Sequence, residues 1–298
     1  MARSVSELIK VKQTLLLLLA MYAGFAAGGG FCNGDVAGTA VRALLAGVLG
    51  FVAISATTAL NMVYDVDIDS VMERTRGRPL PRGELNPRTV KIVSFILLAA
   101  SILASLVTLG PYYTAFVILG FVFDIYAYTI ASKRRTWLSI FLGSVAGMAP
   151  ALGGYALAKG YIDAVGVALA LLIAAWIPSH IWLLVMHYID DYRKAGIPML
   201  PVIVDPKLGI IGSAVSITAT IVDALILYLL GGITLPALIL GAALSTAALV
   251  ALKWCKPGSC LLPFKLVNAS LAVYILGVIL AGVHITLQAT LLKVEARP

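Results

Sequence analysis

Charge is what this chain lacks most: only 12% of its 298 residues are Asp, Glu, Lys or Arg, against 61% hydrophobic. So few charges cannot cover the wet surface of a soluble domain this long, which excludes that class. Cysteine is scarce as well. Cys32, Cys255 and Cys260 form neither a disulfide framework nor a CxxC metal spacing, so they read as structural or incidental. Acidic residues are outnumbered, 14 to 22 basic, which leaves a net charge of +8. A basic balance can signal nucleic acid, but no separate polar domain exists to bind it, and no nucleic acid partner is expected.

What the chain has instead is long apolar runs, with a mean hydropathy of +1.00. A helix needs about 20 apolar residues to cross roughly 30 Å of hydrocarbon. Nine runs qualify, near 12–31, 38–62, 90–109, 112–131, 137–158, 164–187, 208–230, 233–252 and 266–289. The expected fold is therefore an all-α integral membrane protein with nine transmembrane helices, residues 1–298 forming a single transmembrane domain in a lipid bilayer. If the runs alternate in direction, 18 of the 22 basic residues fall on one side. The positive-inside rule makes that side cytoplasmic, places the N-terminus there and puts the C-terminus outside the cell membrane.

The second run ends in Asn61-Met62-Val63-Tyr64-Asp65-Val66-Asp67-Ile68-Asp69, followed by Arg74, Arg76, Arg78 and Arg82. Helical residues advance about 100° each, so Asn61, Asp65 and Asp69 share a stripe while Asp67 points nearly the other way. Three oxygen ligands then face one point. Carboxylate and amide oxygens suit Mg²⁺, which is usually shared between one or two carboxylates and substrate phosphates. The arginines that follow can take the remaining phosphate charge.

A second polar concentration closes the sixth run: His180, His187, Asp190, Asp191, Arg193 and Lys194, leading into Gly196-Ile197-Pro198-Met199-Leu200-Pro201. Between the two lie Tyr128, Thr129, Lys133, Arg134 and Arg135. Two acidic helix ends with cations between them, on one membrane face, suit a diphosphate held through Mg²⁺ beside an apolar cavity. An isoprenyl diphosphate has that shape, with a charged head for the mouth and a hydrocarbon tail for the interior.

These motifs resemble the UbiA superfamily of intramembrane prenyltransferases. The resemblance rests on residues 61–83, on Tyr128-Thr129 through Lys133-Arg134-Arg135-Thr136, on 147–154 and on His180 through 201, covering roughly residues 55–205. The 61–83 stretch matches the superfamily, and the stretch ending in Ala195-Gly196-Ile197-Pro198-Met199-Leu200-Pro201 matches its heme-modifying branch. Two departures stand out: Ile181-Trp182-Leu183-Leu184-Val185-Met186 follows His180 where the branch has His-Phe and smaller residues, and the second acidic site is Asp190-Asp191 rather than a spaced pair.

The resemblance implies a UbiA-type helical bundle that transfers farnesyl from farnesyl diphosphate to a vinyl group of heme b, with Mg²⁺ as cofactor. It implies Asn61, Asp65 and Asp69 at the metal that holds the diphosphate, with Asp190 or Asp191 at a second metal or its hydration shell. Arg78, Arg82, Lys133 and Arg134 are expected at the diphosphate, Tyr128 beside the allylic cation by cation–π contact, and His180 or His187 at the heme iron or at the water that captures the final cation. Two other readings remain open: prenylation of a quinone precursor or an ether-lipid acceptor, and an ion-coupled transporter. Transporter sites favour the bilayer midplane, whereas these acidic residues sit at helix ends.

Overall fold

The computed structural model describes residues 2–31 and 35–295, so Cys32 and Arg297 lie outside the described residues. Among the described residues every regular element is helical. A short α1 (Ala2–Leu8) precedes α2 (Val11–Ala27), α3 (Val36–Tyr64), the short α4 (Val66–Val71) and α5 (Pro87–Thr108). Next come α6 (Pro111–Phe121), continued by a π-helical stretch Val122–Ser132, then α7 (Ser139–Lys159) and α8 (Ala164–His187). The chain continues through short α9 (Ile189–Lys194) and α10 (Leu200–Ile203) to α11 (Pro206–Leu229), α12 (Leu235–Ala251) and α13 (Leu261–Glu295).

Eight of these helices are long and apolar enough to cross a membrane, and α2 is a shorter apolar ninth. The nine expected runs are therefore all present as helices, with ends shifted by a few residues. Local chemistry fixes many of those ends. Asn86 accepts hydrogen bonds from the Arg88 and Thr89 amides at the start of α5, and Asp163 does the same for Val165 and Gly166 at α8. Proline opens α5, α6 and α11, where its missing N–H is no loss.

Between membrane helices packing must come from close approach, because lipid competes for apolar contact. The crossing of α2 and α7 shows how close. A Cβ on Gly24 would sit 1.9 Å from the Ala151 carbonyl oxygen, and one on Gly154 would sit 1.9 Å from the Met21 carbonyl oxygen. The two backbones touch there, so larger residues are excluded at both glycines. That contact locks α2 against α7 and so fixes where the start of α2 meets the ends of its neighbours.

Cys255 and Cys260 are joined in a disulfide, which makes this pair structural rather than incidental. The spacing matched no framework, but the turn between α12 and α13 passes through Gly258 at φ +84° and folds the two thiols together.

Candidate active site

Helix α3 ends at Asp65, whose backbone (φ −102°, ψ 6°) leaves the helical region before α4 begins. The hydrogen-bond rhythm survives the bend. The Asp65 amide still donates to Asn61 at 3.1 Å and the Asp69 amide to Asp65 at 2.7 Å. Asn61, Asp65 and Asp69 consequently all line one cavity of about 350 Å³, while Asp67 is exposed on the opposite side. Asp65 and Asp69 are 3% and 4% exposed, so each carboxylate needs partners in place of the water it has lost.

The partners are cations from elsewhere in the chain. Lys133 Nζ donates to Asp65 Oδ2 at 2.5 Å, and Arg78 donates to Asp69 Oδ2 at 2.6 Å. Burial alone would lower the Lys133 ammonium, but Tyr128 and Asp65 beside it outweigh that and hold its pKa above the ordinary lysine value. Asp65 Oδ1 is buried with no hydrogen-bond partner. Asn61 donates from Nδ2 to Thr129 Oγ1 at 2.8 Å, which leaves its Oδ1 as the available acceptor, 3.5 Å from Lys10 Nζ.

That donor set suits Mg²⁺. An orphaned carboxylate oxygen, a second carboxylate and an amide oxygen are hard ligands on one wall, with cations beside them for a phosphate. Among the described residues, no three His, Cys, Asp or Glu side chains converge on one point. Two carboxylates and one amide oxygen are too few to cage Mg²⁺ alone, so a metal held there would need further oxygens, such as those of a phosphate, to complete its coordination.

Several anticipated residues lie elsewhere. Arg134 makes a two-pronged pair with Asp67, at 2.6 and 2.7 Å, and that fork holds the Asp67 carboxyl below its usual pKa. Arg82 pairs with Glu84 at 2.5 Å, and Asp190 is exposed and reaches Arg193 at 3.4 Å. Asp191 is buried, but both its oxygens are taken by backbone amides, Glu73 at 3.1 Å and Arg74 at 3.0 Å. Asp191 therefore fastens the arginine loop onto α9. His187 turns away from the cavity with Nδ1 buried and unpartnered, whereas His180 lines the cavity wall.

Two cavity groups were missed. Lys10 was counted only as a topology charge, yet it adopts φ 44°, the left-handed region that disfavours side chains by roughly 1–2 kcal/mol. This conformation starts α2 with the ammonium in the cavity mouth, where burial, then Arg78 and Lys133, push its pKa down to about 8. Asp124 escaped notice because an α-helix sets residues nine apart about 180° from each other, so Asp124 and Lys133 could not share a face. The π-helical stretch changes that. Lys133 N bonds back to Tyr128 O and Thr129 Oγ1 to Asp124 O, each five residues earlier, and Asp124, Tyr128 and Lys133 all reach the cavity.

Beyond the polar mouth the cavity is apolar, running past Phe116 and Val117 to Leu18, Met21, Gly50 and Tyr113. Gly50 and Asn61 are eleven residues apart on α3, about 16 Å of helical rise. Tyr113 donates its hydroxyl to Ala46 O at 2.9 Å and lies near the opposite membrane end from Lys133. A charged head and an apolar tail both have their place.

Both the sequence and the fold have known relatives. The UbiA prenyltransferase family model matches residues 16–258. The protoheme IX farnesyltransferase of Hyperthermus butylicus is 48% identical over 206 residues, covering 69% of this chain and 67% of that one. The protein of the same name from Pyrobaculum neutrophilum is 42% identical over 248 residues, covering 82% and 87%. A structure of a UbiA homolog from Archaeoglobus fulgidus bound to GPP and Mg²⁺ superposes with a TM-score of 0.67 at 16% identity, over 93% of this chain and 99% of that one. A family match across residues 16–258, on a nine-helix membrane bundle with an acidic and basic cavity mouth, shows that this chain belongs to the UbiA prenyltransferase family.

Proposed function

We propose that the chain transfers a farnesyl group from farnesyl diphosphate to a vinyl group of heme b, yielding a hydroxyethylfarnesyl heme, at the cytoplasmic face of the cell membrane. The observation that carries this reading is a single cavity whose mouth holds Asn61, Asp65 and Asp69 beside Lys10, Arg78 and Lys133, and whose wall includes His180. The relatives' names supply the acceptor, and the apolar depth supplies room for the tail.

In this reading Asn61 Oδ1, Asp65 and Asp69 hold Mg²⁺. The metal, when bound with diphosphate, neutralises charge that grows on the leaving oxygen. Lys133, Arg78 and Lys10 take the rest of that charge, so the C1–O bond breaks with its electron pair on diphosphate. The farnesyl cation needs a dry, electron-rich wall, which Tyr128 provides beside the leaving group. The vinyl π pair then bonds to C1, and water captures the cation left next to the macrocycle and releases a proton.

Purified protein incubated with farnesyl or geranylgeranyl diphosphate and with heme b, a quinone precursor or a glycerol ether acceptor tests this. A heme heavier by one farnesyl group and one hydroxyl group supports the reading. Prenylation of the quinone or ether acceptor alone would replace it.

A further inference from the structure

His180 sits in α8 between two aromatic rings, Trp176 at 4.4 Å and Phe264 at 5.0 Å between centroids, both within about 35° of parallel. Its Nδ1 lies 2.8 Å from Asn268 Oδ1 in α13. The Asn268 amide has no freedom to turn over, because its Nδ2 donates to the Phe264 carbonyl at 2.6 Å and a reversed amide would set oxygen against oxygen. Asn268 Oδ1 can only accept. His180 Nδ1 must therefore carry the proton, which leaves the lone pair on Nε2. The ring lines the cavity, and Nε2 has no hydrogen-bond partner among the described residues.

A histidine that served only to tie α8 to α13 would be complete with Nδ1 bonded and both faces stacked. The second nitrogen is left over, and it is a metal-ligating lone pair of fixed direction. Metal-bound histidines characteristically donate their other N–H to an oxygen acceptor, which sets tautomer and ring orientation. The relay from Phe264 O through Asn268 to His180 provides that acceptor before any ligand arrives.

We propose that His180 Nε2 is the axial ligand of the heme acceptor's iron, and that Asn268 is a positioning residue that fixes the ring for this bond. The inference rests on heme b being the acceptor, and it adds how the macrocycle is placed. Ligation by one fixed nitrogen limits where the vinyl group can lie relative to farnesyl C1. Asn268 acts through His180 and touches neither substrate. Nothing is transferred in this step: the Nε2 lone pair fills one coordination position of the iron.

The test is heme b titration of the purified full chain, read by absorbance and electron paramagnetic resonance, alongside binding of farnesyl thiodiphosphate with Mg²⁺ as a control for folding. Wild type should show a nitrogen-ligated heme spectrum. His180→Ala should lose it and regain it with added imidazole, while keeping thiodiphosphate affinity. Asn268→Leu should weaken heme binding about 10- to 100-fold, the range typical of a lost partner behind a ligating histidine. Asn268→Asp, whose carboxyl is kept protonated by burial so that its hydroxyl donates to the Phe264 carbonyl while the other oxygen accepts from His180 Nδ1, should restore most of it. An unchanged spectrum in His180→Ala overturns the ligand assignment, and full heme affinity in Asn268→Leu overturns the positioning role. A wild-type protein that binds thiodiphosphate but no heme overturns the acceptor reading itself, which is a different failure.

Discussion

The buried Asp191 carboxylate accepts the Arg74 amide at 3.0 Å and the Glu73 amide beside it, tying the second acidic helix end to the loop that follows the first. Sequence similarity between the two acidic ends suggests two metal sites, but only the first lines the cavity, through Asn61, Asp65 and Asp69, while Asp191 spends its oxygens on backbone amides. Asp191→Ala should release the loop that carries Arg74 and Arg78. Each hydrogen bond to a charged group contributes about 1.5–3 kcal/mol, so the loop should become protease-sensitive and turnover should fall sharply. Asp190→Ala, which removes only an exposed pair, should change neither. Limited proteolysis and turnover measured on both variants check this.

The same logic divides the first acidic stretch. Asp65→Asn and Asp69→Asn should each lower turnover by about 100-fold or more, the size of a lost electrostatic contact to a charged transition state. Asp67→Asn frees Arg134 at the surface and should stay near wild type. Steady-state rates with the three variants decide it, and equal losses would show that Asp67 also reaches the substrate.

Among the cations, Lys133→Ala, Arg78→Ala and Lys10→Ala should weaken binding of a nonhydrolysable farnesyl diphosphate analogue by about tenfold or more, since a charge-assisted contact is worth about 1.5–3 kcal/mol. Arg134→Ala and Arg82→Ala, whose partners are Asp67 and Glu84 outside the cavity, should bind it nearly as wild type does. Chelation of Mg²⁺ should remove analogue binding in all of them. Calorimetric titration with and without EDTA reads both effects.

Tyr113 and Gly50 close the apolar depth of the cavity. Tyr113→Ala removes a ring whose hydroxyl bonds Ala46 O, and should shift the preference from farnesyl toward geranylgeranyl diphosphate. A Cβ on Gly50 would lie 2.9 Å from the Tyr113 hydroxyl and 3.3 Å from Leu18, so Gly50→Val should act in the opposite sense and favour the shorter geranyl diphosphate. Competition between diphosphates of different length gives the ratio directly.

Much of this molecule was legible from its residues, and the exceptions have physical causes. Apolar run length shows the nine helices, because hydrocarbon thickness dictates it. The four-residue spacing of Asn61, Asp65 and Asp69 places them together even though the helix bends at Asp65, since the i to i+4 bonds persist across the bend. Asp124 was illegible because nothing in its neighbourhood announces a π-helical stretch. Lys10 was hidden by its equally good reading as a topology charge. Asp191 misled for another reason: an acidic residue at a helix end looks the same whether it faces a metal or a pair of backbone amides, and only the path of the distant arginine loop decides between them.

Farnesyl transfer to heme b, as proposed, depends on the carboxylates at the cavity mouth. Extraction and chromatography of the heme pool from cells expressing the wild-type chain or Asp65→Asn, with equal membrane levels of each, tests it most directly. The wild-type chain should produce a more hydrophobic heme carrying the added farnesyl and hydroxyl groups, and Asp65→Asn should leave heme b unchanged. An unmodified heme pool with the wild-type chain would rule out heme b as the acceptor, and the same modified heme with both would rule out a role for the Asp65 carboxylate.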